Sequence, residues 1–176
     1  MKKEVVLFIV LIIAMFVIPY FVSAACSRPV YSKDLNTSTR LCGENFVVNN
    51  GLVVSKDNVD IDCSSVVLKG NLLSVVAGIV IEDRKNITLY DCRIVNYATG
   101  IKIINSSGIV LRDMTFLRNF VGVHIIDSFN VSIINSFDIS LDKPLKISNV
   151  TNSTFQYYNK KIKGDFCNAN NCGNRV

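Results

Sequence analysis

From about residue 46 onward apolar and polar residues alternate along the chain, and from about residue 78 to 158 the alternation itself repeats every 22 residues. Gly78, Gly100 and Gly122 open successive units, and Pro144 takes the next slot. The stretches they begin read G-I-V-I, G-I-K-I, G-V-H-I and P-L-K-I. In register, the units form columns of one residue type: Ile79, Ile101, Val123, Leu145, then Ile81, Ile103, Ile125, Ile147. Further on come Ile87, Ile109, Val131 and Leu89, Leu111, Ile133, Phe155. Alternation at period two is strand periodicity, and β-branched residues suit a pleated, half-buried surface. A fixed repeat marks a solenoid, because one unit cannot bury its apolar face alone and must stack on the next.

Two solenoid types use a period near this one. A leucine-rich repeat places its asparagine after the strand and often carries a helical segment. Here Asn86 and Asn130 come immediately before the strand, Ile and Val outnumber Leu, and no stretch between repeats has helical spacing. The pattern therefore predicts an all-β parallel β-helix, with short strands joined by turns rich in Asn, Asp, Ser and Gly. An irregular earlier coil, with G-L-V-V at 51–54 and N-V-D-I-D-C at 58–63, is offset by 27 residues from its echo at Gly78. About five coils are expected. At the strand spacing of about 4.8 Å they make a stack some 20–25 Å tall.

Residues 1–25 have the plan of a signal peptide: Lys2 and Lys3, an apolar run from Val5 to Val22, then Ser23, Ala24 and Ala25. The same run is just long enough to serve as an uncleaved membrane anchor, the only route by which contact with a membrane is expected. Residues 26–45, with Pro29 and Cys42, read as an N-terminal cap, 46–158 as the β-helix repeats, and 159–176 as a C-terminal cap. Caps are needed because open strand edges invite pairing with other chains.

The leader inflates the 49% hydrophobic fraction, and without its charges the formal net charge falls from +5 to +4. That mild basicity is spread over the chain, so nucleic acid is not indicated. Six cysteines lie beyond the leader, and in an exported chain an even number argues for disulfides. Cys167 and Cys172 enclose four residues and form the first expected pair; Cys42 with Cys63 is the second. Cys92 falls on an inward position and reads as a small buried hydrophobe.

The leading Cys26, Asp34-Leu35 with Cys42, N-V-D-I-D-C at 58–63 and G-I-V-I followed by N-I-T-L-Y-D-C-R-I resemble secreted right-handed parallel β-helix proteins of the pectin-lyase-like fold. The nearest resemblance is to the NosD-like set, described as periplasmic copper-binding or carbohydrate-binding. The chain departs from that set in reading Asp62-Cys63-Ser64-Ser65-Val66 where D-C-N-G-H is usual. The resemblance implies an extracellular, periplasmic or cell-surface location and a right-handed coil. It does not settle function, since many activities share the scaffold.

Copper, implied by the resemblance, is opposed by the ligand supply. His124 is the one histidine, and Met114, the one methionine past the leader, falls in a core column. No cofactor is expected. Polysaccharide cleavage would need paired carboxylates, and Asp91 and Asp113 lie 22 residues apart with Asn135 next. Acidic and amide side chains also make turn hydrogen bonds, and a structural ladder at a corner is the preferred reading. Asp57, Asp60 and Asp62 supply oxygen donors that calcium favours but lack the EF-hand spacing.

Lys102, His124 and Lys146 share an outward column with Val80 and are the candidate ligand-binding residues, either for an acidic glycan or as an ordinary solvated face. A second outward column, Thr88, Val110, Ser132 and Thr154, is too irregular for a flat ice-binding surface. Of six glycosylation sequons, Asn36 and Asn105 lie outside the expected stacked turn. The expectation is an exported, non-catalytic β-helix whose lateral face binds a polysaccharide or surface glycan. The alternatives are a lyase or hydrolase of the same fold and a structural envelope module.

Overall fold

The computed structural model describes residues 26–27, 34–43, 45–64, 66–71 and 76–158, and the backbone of 165–168 and 171–174. Residues 1–25, the expected leader, lie outside them. The chain winds as a parallel β-solenoid of about five coils with three strands to a coil, and no helix occurs among the described residues. Face A stacks Asp34–Leu35, Leu52–Val54, Ala77–Glu82, Thr99–Ile104 and the starts of Val121–Ile139 and Lys143–Thr151. Face B stacks Cys26–Ser27, Thr39–Leu41, Val59–Asp62, Lys85–Tyr90, Ser107–Arg112, the middle of Val121–Ile139 and Thr154–Tyr157. Face C stacks Asn45–Val47, Val67–Lys69, Arg93–Val95, Thr115–Leu117 and the end of Val121–Ile139.

The register is the 22-residue repeat. Ile79 lies beside Ile101, Ile101 beside Val123, and Val123 beside Leu145. Ile79, Ile101, Ile81, Ile103, Ile87, Ile109, Leu89 and Leu111 are fully buried. Each such side chain adds roughly 1.5–3 kcal/mol of burial free energy. Face C supplies the third wall through Phe46, Leu68, Ile94 and Phe116. The last inward slot of that wall is Asp138, also fully buried, whose carboxylate accepts the Ser140 N–H at 2.7 Å. Burial, and then Asp138, push the neighbouring Tyr157 hydroxyl well above the ordinary tyrosine value.

The glycine column arises from crowding. A Cβ on Gly100 would stand 2.5 Å from the Gly122 carbonyl and 2.8 Å from the Phe116 ring, and one on Gly78 would stand 2.8 Å from the Gly100 carbonyl. The corners have a different requirement. Asp83, Asn105, Asp127 and Asn149 all hold positive φ, as do Asn86, Asn130 and Asn152, and Asp91, Asp113 and Asn135. Asn and Asp tolerate this left-handed conformation because their short side chains hydrogen-bond locally. Gly108 fills the missing place in the Asn86 column at φ 64°.

Where polar groups are buried, they bridge coils. The Ser106 hydroxyl accepts the Arg84 N–H at 3.1 Å and donates to the Ile104 carbonyl at 2.6 Å. Ser128 repeats this one coil later, accepting the Ser106 N–H at 3.1 Å. Buried Asn119 accepts the Tyr97 N–H and donates to the Ile94 carbonyl, both at 3.0 Å. These side chains satisfy corner backbone groups that the strand ladders leave over.

The disulfides correct the expected pairing. Cys42 is joined to Cys26, with Cα atoms 5.4 Å apart, and Cys63 is joined to Cys92 at 4.6 Å. Cys42 and Cys63 therefore do not pair, and Cys92 is half of a cross-link instead of a free buried thiol. Cys63 and Cys92 occupy one inward corner of adjacent coils, since Asp62 lies beside Tyr90 and Cys63 donates its N–H to the Tyr90 carbonyl. Corner residue Asp91 and the longer loop before Gly78 make the separation 29, which hides the column from a strict count of 22. The Cys167–Cys172 bond concerns side chains outside the described residues, although the backbone pairs Cys167 opposite Cys172 in an antiparallel hairpin.

The Cys63→Ala, Cys92→Ala double variant is expected to lose about 2–4 kcal/mol relative to the oxidised protein, measured by denaturant unfolding. Gly100→Ala is expected to cost about 1–3 kcal/mol through overpacking against Phe116 and the Gly122 carbonyl, whereas Asn130→Gly, at a left-handed corner, should be near neutral.

Candidate functional site

Strand alternation sends every second residue of face B outward, and stacking sorts these residues into rows running along the solenoid. The corner row is Asn58, Asn86, Gly108 and Asn130. The next is Asp60, Thr88, Val110, Ser132 and Thr154, each beside the last. Between these rows a groove of about 410 Å³ crosses four coils. Gly108, lacking a side chain, leaves a gap midway along its amide-lined edge. The Asn86 amide donates to Asn58 Oδ1 at 3.0 Å, and Thr154 donates to Ser132 Oγ at 3.2 Å.

A third row flanks the groove: Arg40, Asp62, Tyr90 and Arg112. Arg40 Nε lies 3.4 Å from Asp62 Oδ2, and the Arg112 guanidinium carbon is 5.8 Å from the centre of the Tyr90 ring, a cation–π distance. Burial works to raise the Asp62 pKa, but hydrogen bonds from the Ser64 hydroxyl and amide, and then Arg40, carry it below the ordinary aspartate value. Burial, and then Asp62, raise the Tyr90 hydroxyl. Of this row the sequence analysis singles out Asp62 alone, although Tyr90 and Arg112 are spaced by the repeat. Asp138 was missed in the same way, one repeat beyond Phe116.

Lys102, His124 and Lys146 form a continuous column on face A, each beside the next. Burial lowers the His124 pKa, followed by Lys146 and then Lys102. Each of these causes favours the uncharged form of the imidazole, which is flanked in the column by the two lysine side chains. The column and the groove lie on different faces, separated by the corner of Asp83, Asn105, Asp127 and Asn149. There the Asn105 amide donates to Asp83 at 2.7 Å and the Asn149 amide to Asp127 at 2.9 Å.

Asp91 and Asp113 stand at the corner between faces B and C, both exposed, at φ 54° and 55°. Their N–H groups donate to the Arg112 and Ile134 carbonyls at 3.1 and 3.0 Å, and Asp113 lies 3.5 Å from Arg112 Nε. The three aspartates of the earlier coil diverge. Asp57 accepts the Lys85 N–H at 3.0 Å, Asp60 lines the groove and Asp62 meets Ser64 and Arg40. Among the described residues no three His, Cys, Asp or Glu side chains converge as metal ligands would. Cys63 and Cys92 are spent in the disulfide, and Met114 is buried in the core. No family model, curated protein or solved structure matches the chain.

The Asp62 arrangement predicts a pH effect. A carboxyl with a depressed folded-state pKa contributes stability above its unfolded value and loses it as pH falls through the folded value. Melting temperature should therefore fall as pH drops below about 3.8, the ordinary aspartate value. The fall should be smaller in Asp62→Asn, followed by thermal melts from neutral to acid pH.

Proposed function

We propose that the chain is an exported, non-catalytic carbohydrate-binding β-solenoid that holds a glycan chain along the groove of face B. The observation that carries this reading is the groove itself, lined over four coils by Asn58, Asp60, Asn86, Thr88, Asn130 and Ser132. Amide, hydroxyl and carboxylate groups repeat there at the coil spacing of about 4.8 Å. A polymer of hydroxyl-bearing units lying along the stack meets the same kind of partner at each step. Tyr90 adds an amphipathic ring beside the groove, the side-chain type that supplies contact area with a polar tip.

The leader's plan and two disulfides, which suit an oxidising compartment, support export. The resemblance to NosD-like, pectin-lyase-like proteins supports a carbohydrate ligand. The left-handed corner conformation of Asp91 and Asp113 accounts for both residues, and neither carries a chemical step.

A second reading places an acidic glycan on face A, favoured by the stacking of Lys102 and Lys146 on either side of His124. One glycan-array experiment separates the two. Thr88→Lys with Ser132→Lys fills the groove at half-buried outward strand positions, and should lower binding by about tenfold or more, a loss of about 1.4 kcal/mol. Lys102→Glu with Lys146→Glu should leave it within about twofold if the groove is the site. Loss only in the lysine variant would move the ligand to face A, and absence of binding to any glycan would overturn both readings.

A further inference from the structure

Face C differs from the other two in what it shows to solvent. One outward row reads Val47, Lys69, Val95, Leu117 and Ile139. The row beside it reads Asn45, Val67, Arg93, Thr115 and Phe137. Val47 is 66% exposed and Ile139 53%, and at the corner leading from face C toward face A, Phe120 is 56% and Leu141 61% exposed. Large apolar side chains gathered on one face of a soluble protein mark a contact surface. The cations Lys69 and Arg93 lie within these rows, and Arg118 follows Leu117 at the corner. None of the three enters an ion pair among the described residues.

Acidic groups lie at the margins. Asp91 and Asp113 stand on the corner shared with face B, where Arg112 engages Asp113, and Asp142 follows Leu141. Apart from Asn45 and Thr115 the two rows are apolar or cationic, and neither holds an acidic side chain.

We propose that face C rests on an anionic lipid surface, its apolar row entering the headgroup boundary while Lys69, Arg93 and Arg118 meet lipid phosphates. Interfacial binding of this kind combines buried apolar area with attraction to anionic lipid. A second copy of the chain fits the face less well. A two-fold pairing sets one patch against itself, and here it would bring unpaired Lys and Arg side chains together, a like-charge contact that costs affinity. An acidic bilayer supplies the opposite charge. This inference is independent of glycan binding, which uses face B, and it leaves that face free to solvent.

The test uses the full chain carrying Ile139→Cys labelled with the environment-sensitive fluorophore NBD, so that the signal comes from face C whatever the leader does. Mixed with vesicles of equal parts phosphatidylcholine and phosphatidylglycerol, the emission should shift to the blue and rise by about twofold or more, as at an interfacial position. Pure phosphatidylcholine vesicles, and salt near 1 M where the screening length is about 3 Å, should suppress the change. Lys69→Glu with Arg93→Glu should abolish it, while Lys102→Cys labelled on face A should stay water-like. A water-like signal at position 139 on the anionic vesicles overturns the proposal. So does an equal response from position 102, insensitivity to Lys69→Glu with Arg93→Glu, or a blue shift that follows protein concentration without vesicles, which would mark self-pairing.

Discussion

In a parallel solenoid each coil completes its backbone hydrogen bonding only on the coils above and below it. The in-register ladder on all three faces is the constraint from which the rest of this structure follows. Once the backbone path repeats, side chains at equivalent positions lie one strand spacing apart and must be compatible with their own copies. Aliphatic residues meet the condition inside, where Ile79, Ile101 and Val123 stack without water between them. Close approach of successive backbones meets it at Gly78, Gly100 and Gly122.

The same ladder sets the cost of the corners. A chain turning three times per coil has donors and acceptors that no strand satisfies, and a buried unpaired amide costs about as much as a lost hydrogen bond. Asn and Asp in left-handed conformations, with Ser106, Ser128, Ser136 and Asn119 reaching the adjoining coil, meet that need. Much of the Asn, Asp and Ser content is thereby accounted for by the scaffold. The corner columns that resemble paired catalytic carboxylates, Asp91 and Asp113 above all, have a backbone reason to exist.

With core and corners accounted for, function is confined to outward rows, and the three faces differ in chemistry. Face A carries a lysine and imidazole column, face B a polar groove with a tyrosine and ion-paired flank, and face C a largely apolar sheet whose cations form no ion pair among the described residues. A solenoid can vary these rows with little effect on the stack, because strand alternation sends outward and core side chains to opposite faces of each sheet. Asp138 is the one acidic residue fully buried among the described residues. It places a carboxyl at the end of the Phe46 to Phe116 wall, beneath Gly122 and beside Tyr157.

The parallel all-β solenoid, its period, the inward columns and the corner ladder of Asp91, Asp113 and Asn135 were legible from the chain alone. Periodicity is a local property, and every coil writes it again. The outward columns of Lys102, His124 and Lys146 and of Thr88 to Thr154 were equally legible, but their depth was not. Only the tertiary structure showed that Asn58, Asn86 and Gly108 fold beside Thr88 into a groove, that Arg112 lies over Tyr90, and that Cys63 meets Cys92 across a separation of 29. These depend on how far corners and inserted loops displace one coil against the next. That displacement is three-dimensional, set by backbone angles at positions such as Asp91 and by the loop before Gly78, and a count of residues does not contain it.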